Sequence, residues 1–264
     1  MINFEEKTAY TVEDLRRIVH LLRAPGGCPW DGAQTHESIR RNFLEEAYEV
    51  AEAIDRDDPD NLKEELGDVL LQVVFHAAMA REEGLFTFDD VVDGICKKLV
   101  FRHPHVFGQV RAQGAEGALT TWEEQKREEK GQKTVSDALD GVARSLPALI
   151  RAEKLQSKAA KAGFDWDSVD PVLDKLSEEL EELRQAAHGR GDAEEELGDL
   201  LFAAVKAGRF LGADSEQALQ NACEKFIRRF RRVEELAGGK LEGLPVSRLE
   251  ELWAQAKKQE QQAT

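Results

Sequence analysis

The amino-acid sequence predicts an all-α protein made of two copies of one helical domain, and three observations carry that prediction. Apolar residues recur at three-and-four spacing along most of the chain, which is the period of a helix that buries one face. No run of alternating β-branched residues lies between these segments. The third observation is a repeat: Glu64-Glu65-Leu66-Gly67-Asp68-Val69-Leu70 returns 131 positions later as Glu195-Glu196-Leu197-Gly198-Asp199-Leu200-Leu201, six of seven identical. That offset is too long for a solenoid and suits a duplicated domain.

The elements follow in order. A first helix is expected over about 11–22. Pro25-Gly26-Gly27-Cys28-Pro29 cannot be helix interior, since Pro removes a donor and the Gly pair costs backbone entropy, so it reads as a loop leading to Trp30-Asp31. Cys28 is expected as a packed loop thiol. Helices follow over 36–55, 61–81, 88–102 and 119–130; in the second of these Leu62, Leu66, Val69, Leu70, Val73, Val74 and Ala77 share one face. Polar residues with scattered small ones then mark a linker, which divides the chain into domain 1–132, linker 133–145 and domain 146–264. The second set of helices is expected over 147–161, 171–187, 193–210, 215–236 and 247–261, with a break at Gly238-Gly239. Landmarks repeat in the same sequence order: Trp30-Asp31 with Trp166-Asp167, Glu46/Glu49 with Glu179/Glu182, Lys98/Arg102 with Lys225/Arg229, and Trp122-x-x-x-Lys126 with Trp253-x-x-x-Lys257. Trp30 and Trp166 are expected to close the ends of the bundles.

Composition excludes several functions. A chain of 264 residues has room for two small domains, and 41% hydrophobic with 33% charged residues suits folded helices rather than disorder. Lys and Arg number 36 against 52 Asp and Glu, a net charge of −16 that repels a phosphate backbone, so no nucleic-acid polymer is expected as partner. Three cysteines in no C-x-x-C pair offer neither a disulfide framework nor a thiolate metal site, which fits a reducing cytoplasm. Glu5, Glu6 and Lys7 stand where a signal peptide would be apolar, and no apolar run approaches the roughly 20 residues of a membrane span, so neither secretion nor a membrane is expected.

The chemistry lies in paired acids. Residues three apart share a helix face, so Glu46 with Glu49 and Glu65 with Asp68 form two pairs on successive helices. Packed antiparallel, those helices bring four carboxylates together, and the repulsion is relieved by a hard cation; Mg²⁺ takes oxygen ligands and commonly bridges carboxylates to phosphates. With 52 acids in 264 residues a single E-x-x-E is weak, being more often a solvated face. The same pairs returning between the same landmarks favour the metal reading. Gly67 and Gly198, inside helices where Gly costs about 1 kcal/mol relative to Ala, are expected where helices approach closely.

Lys98 and Arg102, and Lys225, Arg228 and Arg229, follow the acids on the next helix, where two uses stay open: phosphate contacts, or charges that offset a helix dipole or face solvent. Trp122 and Trp253 read as packing anchors able to stack on a purine. His103-Pro104-His105 reads as a loop element without a counterpart in the second half. No E-x-x-H pair, P-loop, H-E-x-x-H or G-x-S-x-G is present.

Gly27-Cys28-Pro29-Trp30-Asp31, Leu44-Glu45-Glu46-x-x-Glu49, Glu65-Leu66-Gly67-Asp68, Arg102-His103-Pro104-His105-Val106-Phe107 and the set from Glu179 to Asp199 together resemble the MazG family of nucleoside triphosphate pyrophosphohydrolases, over nearly the whole chain. The resemblance implies the all-α NTP pyrophosphatase fold and cleavage of triphosphates between the α and β phosphates, with broad base specificity. It also implies Mg²⁺ as cofactor, with Mn²⁺ a substitute. By the same resemblance Glu179, Glu182, Glu196 and Asp199 are the catalytic metal ligands, matched in the first half by Glu46, Glu49, Glu65 and Asp68. Lys175, Lys225, Arg229 and Trp253 fall on nucleotide-contacting positions, with Lys257 a further candidate; Glu195 and Arg228 complete the substrate-binding set. Asn42 stands where the second half has Lys175, which points to the second half as the dominant site. Each half supplies few helices, so a homodimer is expected. The alternatives are a nucleotide-sensing or partner-binding module without catalysis, and a pyrophosphohydrolase dedicated to one non-standard nucleotide.

Overall fold

A computed structural model describes residues 4–263, and all regular structure among them is helical. The chain divides into two compact units, residues 1–126 and 127–264.

Unit 1 holds α1 (Val12–Arg23), α2 (Pro29–Gly32), α3 (Arg40–Asp55), α4 (Pro59–Glu82), α5 (Phe88–Arg102), α6 (Pro104–Phe107) and most of α7 (Gly114–Glu129). Thr11 and Asp14 open α1 with a reciprocal capping box, which satisfies two otherwise orphaned backbone donors. α3 and α4 form a hairpin, with α1 and α5 packed on α4. Val19, Ile39, Val74, Phe75 and Met79 make the core, flanked by Leu15, Leu71, Ala78 and Phe88. Arg23 fastens this end: its guanidinium donates to the carbonyls of Asp31 and Gln34, pairs with both oxygens of Glu82 and lies over the Phe75 ring.

The loop expected at 25–29 forms over 24–28, and Gly27 is required there, since a Cβ would run into the carbonyl oxygens of Leu21 and Leu22. Trp30 and Asp31 are not loop residues as expected; they lie within α2, whose first turn Pro29 pre-sets. Helix α3 starts four residues after the expected 36, because Thr35 and Ser38 close a turn with their own hydroxyls. Helix α7 starts five residues before the expected 119; Thr120 and Thr121 turn their hydroxyls back to the carbonyls of Glu116 and Gly117 and so lie within the helix. The His103-Pro104-His105 string, read as loop, opens the short helix α6 with Pro104 at its first position.

Unit 2 holds α8 (Val135–Asp140), α9 (Ala148–Lys161), α10 (Asp170–Ala187), α11 (Ala193–Phe210), α12 (Ser215–Leu236) and α13 (Val246–Ala263). The segment read as linker thus carries a helix, α8, whose Thr134/Asp137 capping box is a start signal lying among polar residues; α8 packs on α9. α10 and α11 form the hairpin that corresponds to α3 and α4, and α9 packs on α11 and α12. α12 and α13 form a second hairpin around Val233, Leu252 and Ala256, turned by Gly238 and Gly239 at φ +68° and +81°.

Two packing expectations fail. Trp30 and Trp166 do not close the bundles: they stay 66% and 43% exposed, and Trp166 lies against the ammonium of Lys206, which pairs with Asp165. Gly67 and Gly198 do not mark close helix approach within the chain, for a Cβ at either would meet nothing within 4 Å. Each lies instead between exposed leucines, Leu66 and Leu70 in α4, Leu197 and Leu201 in α11.

Candidate active site

The two helix hairpins carry the acids. Asp58 caps α4 by accepting from the Asn61 N–H, and Asp192 caps α11 by accepting from the N–H groups of Glu194 and Glu195. Glu196 therefore stands in the first turn of α11, where the helix dipole favours negative charge, and Asp199 follows one turn on.

Each hairpin gathers three of the four acids expected to converge. In unit 1, Glu46 and Glu49 from α3 and Glu65 from α4 bring oxygens within 4.8 Å of one another; in unit 2, Glu179 from α10 and Glu196 and Asp199 from α11 do the same. The fourth acid of each set, Asp68 or Glu182, lies outside that tightest group but within electrostatic reach of it. Burial, a hydrogen bond to Glu49 and the charges of Asp68, Glu49 and Glu65 hold the Glu46 carboxyl above its ordinary pKa. Burial and the charges of Glu49 and Asp68 do so for Glu65. Burial, then Glu179 and Glu196, raise Glu182, with Lys175 opposing. Both sets are crowded anions.

The halves differ in how that crowding is met. Lys175 donates to Glu179 and Glu178 at 2.8 Å each, and these contacts raise its own pKa. Glu179, only 5% exposed, thus has an internal counter-charge. The corresponding residue in unit 1, Asn42, brings none.

Of the expected substrate-binding set, Lys175 lies at the acids, and Glu195 lies beside Glu196 in the first turn of α11. Lys225, Arg228 and Arg229 stand on α12, and Trp253 and Lys257 on α13, where the structure shows other contacts. Arg229 donates from Nε to Glu260 at 2.5 Å, with Arg228 3.5 Å from the same carboxylate. The Trp253 ring packs on Phe226 and on the α12–α13 core, while Lys225 and Lys257 are exposed. In unit 1, Arg102 is buried over Trp122, and Lys126 covers the same ring.

Two features were not read from the sequence. Glu260 completes a string, Trp253-x-x-x-Lys257-x-x-Glu260, already present as Trp122-x-x-x-Lys126-x-x-Glu129, so extending the repeat by three residues finds it. His36 and His76 share a 2.7 Å hydrogen bond between Nδ1 atoms with stacked rings; 40 positions apart and on no common element, they carry no local signal.

The fold and the acids define a class: an all-α protein of duplicated helical units, each presenting a carboxylate cluster suited to a hard cation. The model of the MazG nucleotide pyrophosphohydrolase domain matches residues 34–107 and 168–233, the two stretches that hold these clusters. The chain is 49% identical over 257 residues to the nucleoside triphosphate pyrophosphohydrolase of Escherichia coli, covering 94% of this chain and 98% of that protein. It is 47% identical over 248 residues to the nucleoside triphosphate pyrophosphohydrolase/pyrophosphatase MazG of Thermotoga maritima, covering 93% and 95%. An uncharacterised Bacillus subtilis protein, YabN, is 45% identical over 267 residues, with 54% of its own length covered. The chain belongs to the MazG family.

Proposed function

We propose that this chain is a nucleoside triphosphate pyrophosphohydrolase that cleaves between the α and β phosphates, releases monophosphate and pyrophosphate, and accepts a broad range of bases. The observation that carries the reading is the convergence of Glu179, Glu196 and Asp199 beside Lys175; the names of the relatives support it.

The residues fit Mg²⁺, with Mn²⁺ as a substitute. At a metal–oxygen distance of about 2.1 Å, octahedral ligands lie roughly 3 to 4 Å apart, so oxygens already within 4.8 Å need only side-chain adjustment. The donors are all carboxylate oxygens, and burial, then the charges of Glu179 and Glu196, raise the pKa of their neighbour Glu182, which supports the reading. Glu179, Glu182, Glu196 and Asp199 would hold the ion, and Glu46, Glu49, Glu65 and Asp68 a second one in unit 1. When bound, the metal neutralises charge on the phosphate oxygens and acidifies an attacking water. The chain supplies the rest: Lys175, Lys225, Arg228 and Arg229 bind phosphate oxygens, Trp253 offers a face to the base, and a carboxylate of the set receives the proton of the water.

The test is pyrophosphate release from each standard ribo- and deoxyribonucleoside triphosphate, with Mg²⁺ and then with EDTA. Monophosphate plus pyrophosphate, lost with EDTA, is the expected result. Diphosphate plus phosphate would move the cleaved bond, and binding without turnover would make the chain a nucleotide-sensing module.

We further propose that it acts as a homodimer. The chain exposes 19070 Å², whereas two independent compact domains sharing its mass would expose only about 14,000 Å² together. Val91, Val92, Ile95, Leu99, Val100 and Phe101 lie exposed on α5, and Leu219, Phe226, Ile227 and Phe230 on α12. Gly67 and Gly198 leave room on α4 and α11 for a helix of a second copy. Sedimentation equilibrium is expected to give twice 29.6 kDa; a fully active monomer would remove the dimer.

A further inference from the structure

We infer that Glu260 is a positioning residue for the nucleotide, acting through Arg229: it holds the guanidinium by Nε and leaves the Nη edge to face a phosphate. The inference rests on the proposed role of Arg229, and three observations carry it.

The first is contact. α13 packs on α12 around Val233, Leu252 and Ala256, and this hairpin sets Glu260 beside Arg229, whose Nε donates to Oε2 at 2.5 Å. Both side chains are shielded, Arg229 to 19% exposure and Glu260 to 31%, so the pair is screened less than an open surface bridge.

The second is which nitrogen is used. An arginine recognises phosphate with a planar fork of N–H groups. A carboxylate gripping the two Nη groups would compete for that fork. Glu260 takes Nε instead, which restricts rotation of the long side chain without occupying the Nη pair. The rotamer freedom of Arg229 is lost before the ligand arrives, so binding does not bear that cost.

The third is charge. Arg228 and Arg229 are adjacent cations, and Glu260 lies against both. Their proximity keeps the Glu260 carboxyl below its ordinary pKa, so it stays ionised at neutral pH. The same acid recurs in the first half as Glu129, seven residues after Trp122, just as Glu260 follows Trp253.

The experiment is a double-mutant cycle on the full chain. Glu260→Ala is expected to raise KM for the triphosphate about five- to tenfold, with kcat within about twofold, because a bound phosphate can still recruit a loosened arginine. Glu260→Gln, which keeps size and an acceptor oxygen, should recover most of that loss. In an Arg229→Ala background Glu260→Ala should change KM no further. An equal rise in both backgrounds, or no rise in either, overturns the inference. The dissociation constant for ATP is measured alongside for every variant. A wild type that binds ATP without turnover defeats the proposed hydrolysis alone, and the cycle is then read in the dissociation constants.

Discussion

Asp199→Asn is expected to lower metal-dependent pyrophosphate release by about two orders of magnitude or more while leaving the fold intact. Its carboxylate is one of three whose oxygens lie within 4.8 Å across α10 and α11. The amide keeps the shape but loses the charge, and a hard cation held by fewer anionic oxygens is bound more weakly and neutralises phosphate less well. Asp199 is exposed, so the substitution opens no cavity and relieves repulsion in the metal-free protein; its Tm should stay level or rise. Glu196→Gln should behave alike. Glu179→Gln is a different experiment, because it also takes from Lys175 a buried partner at 2.8 Å and so mixes a folding cost with the loss of a ligand. Pyrophosphate release and Mg²⁺ affinity measured together separate the two effects. Near-normal rates in both Asp199→Asn and Glu196→Gln would remove the second half as the active site and move the chemistry to Glu46, Glu49, Glu65 and Asp68.

Why those acids were legible in the sequence, and others of the polar contacts were not, follows from the geometry of helices. A carboxylate pair three residues apart is placed on one face by the backbone alone, and a hairpin of two such helices leaves little freedom in where the faces meet. The hairpins α3–α4 and α10–α11 therefore follow from periodicity and turn residues. Short capped helices escaped: α8 begins at a Thr134/Asp137 box, but six residues give no apolar period, and the polar composition read as linker. The glycines misled for a related reason. A helical glycine suggests close approach, but at Gly67 and Gly198 a Cβ would meet nothing within 4 Å, and sequence alone does not tell whether the space a missing side chain leaves is filled. Contacts between segments distant in sequence depend on side-chain rotamers and packing, which is why the Asp165–Lys206 pair beside Trp166, and the histidines at 36 and 76, required the structure.

The carboxylate clusters of the metal-free protein are expected to cost stability as pH rises above the ordinary 4.5, with Mg²⁺ restoring it most at the upper end. Glu46, Glu65 and Glu182 have pKa values raised above the ordinary 4.5 by burial and by like charges. Groups of that kind contribute fully at pH below the unfolded value, and the contribution is lost as pH climbs through the folded one. Asp14, lowered to about 2, together with Asp90, Asp137 and Asp165, acts in the opposite sense: their stabilisation is present above the ordinary 3.8 and fades as pH falls. By pH 5 these aspartates are ionised in both states, so the interval above it reports the clusters together with His76, whose pKa is lowered by burial and by His36 and whose contribution grows, in the opposite sense, as pH rises. A cation bound only by the folded chain adds about 2.7 kcal/mol per site when present at a hundredfold excess over its Kd, roughly 10 °C in a unit of this size. Because it needs ionised ligands, the increment should grow with pH across the same interval. The halves then separate. Glu46 and Glu65 face their neighbours without a lysine, whereas Glu179 has Lys175. Glu65→Gln should therefore flatten the metal-free pH dependence more than Glu196→Gln does. Thermal unfolding with and without Mg²⁺ from pH 5 to 7 measures all of this, and an increment equal at both ends would mean the ion binds away from the carboxylate clusters.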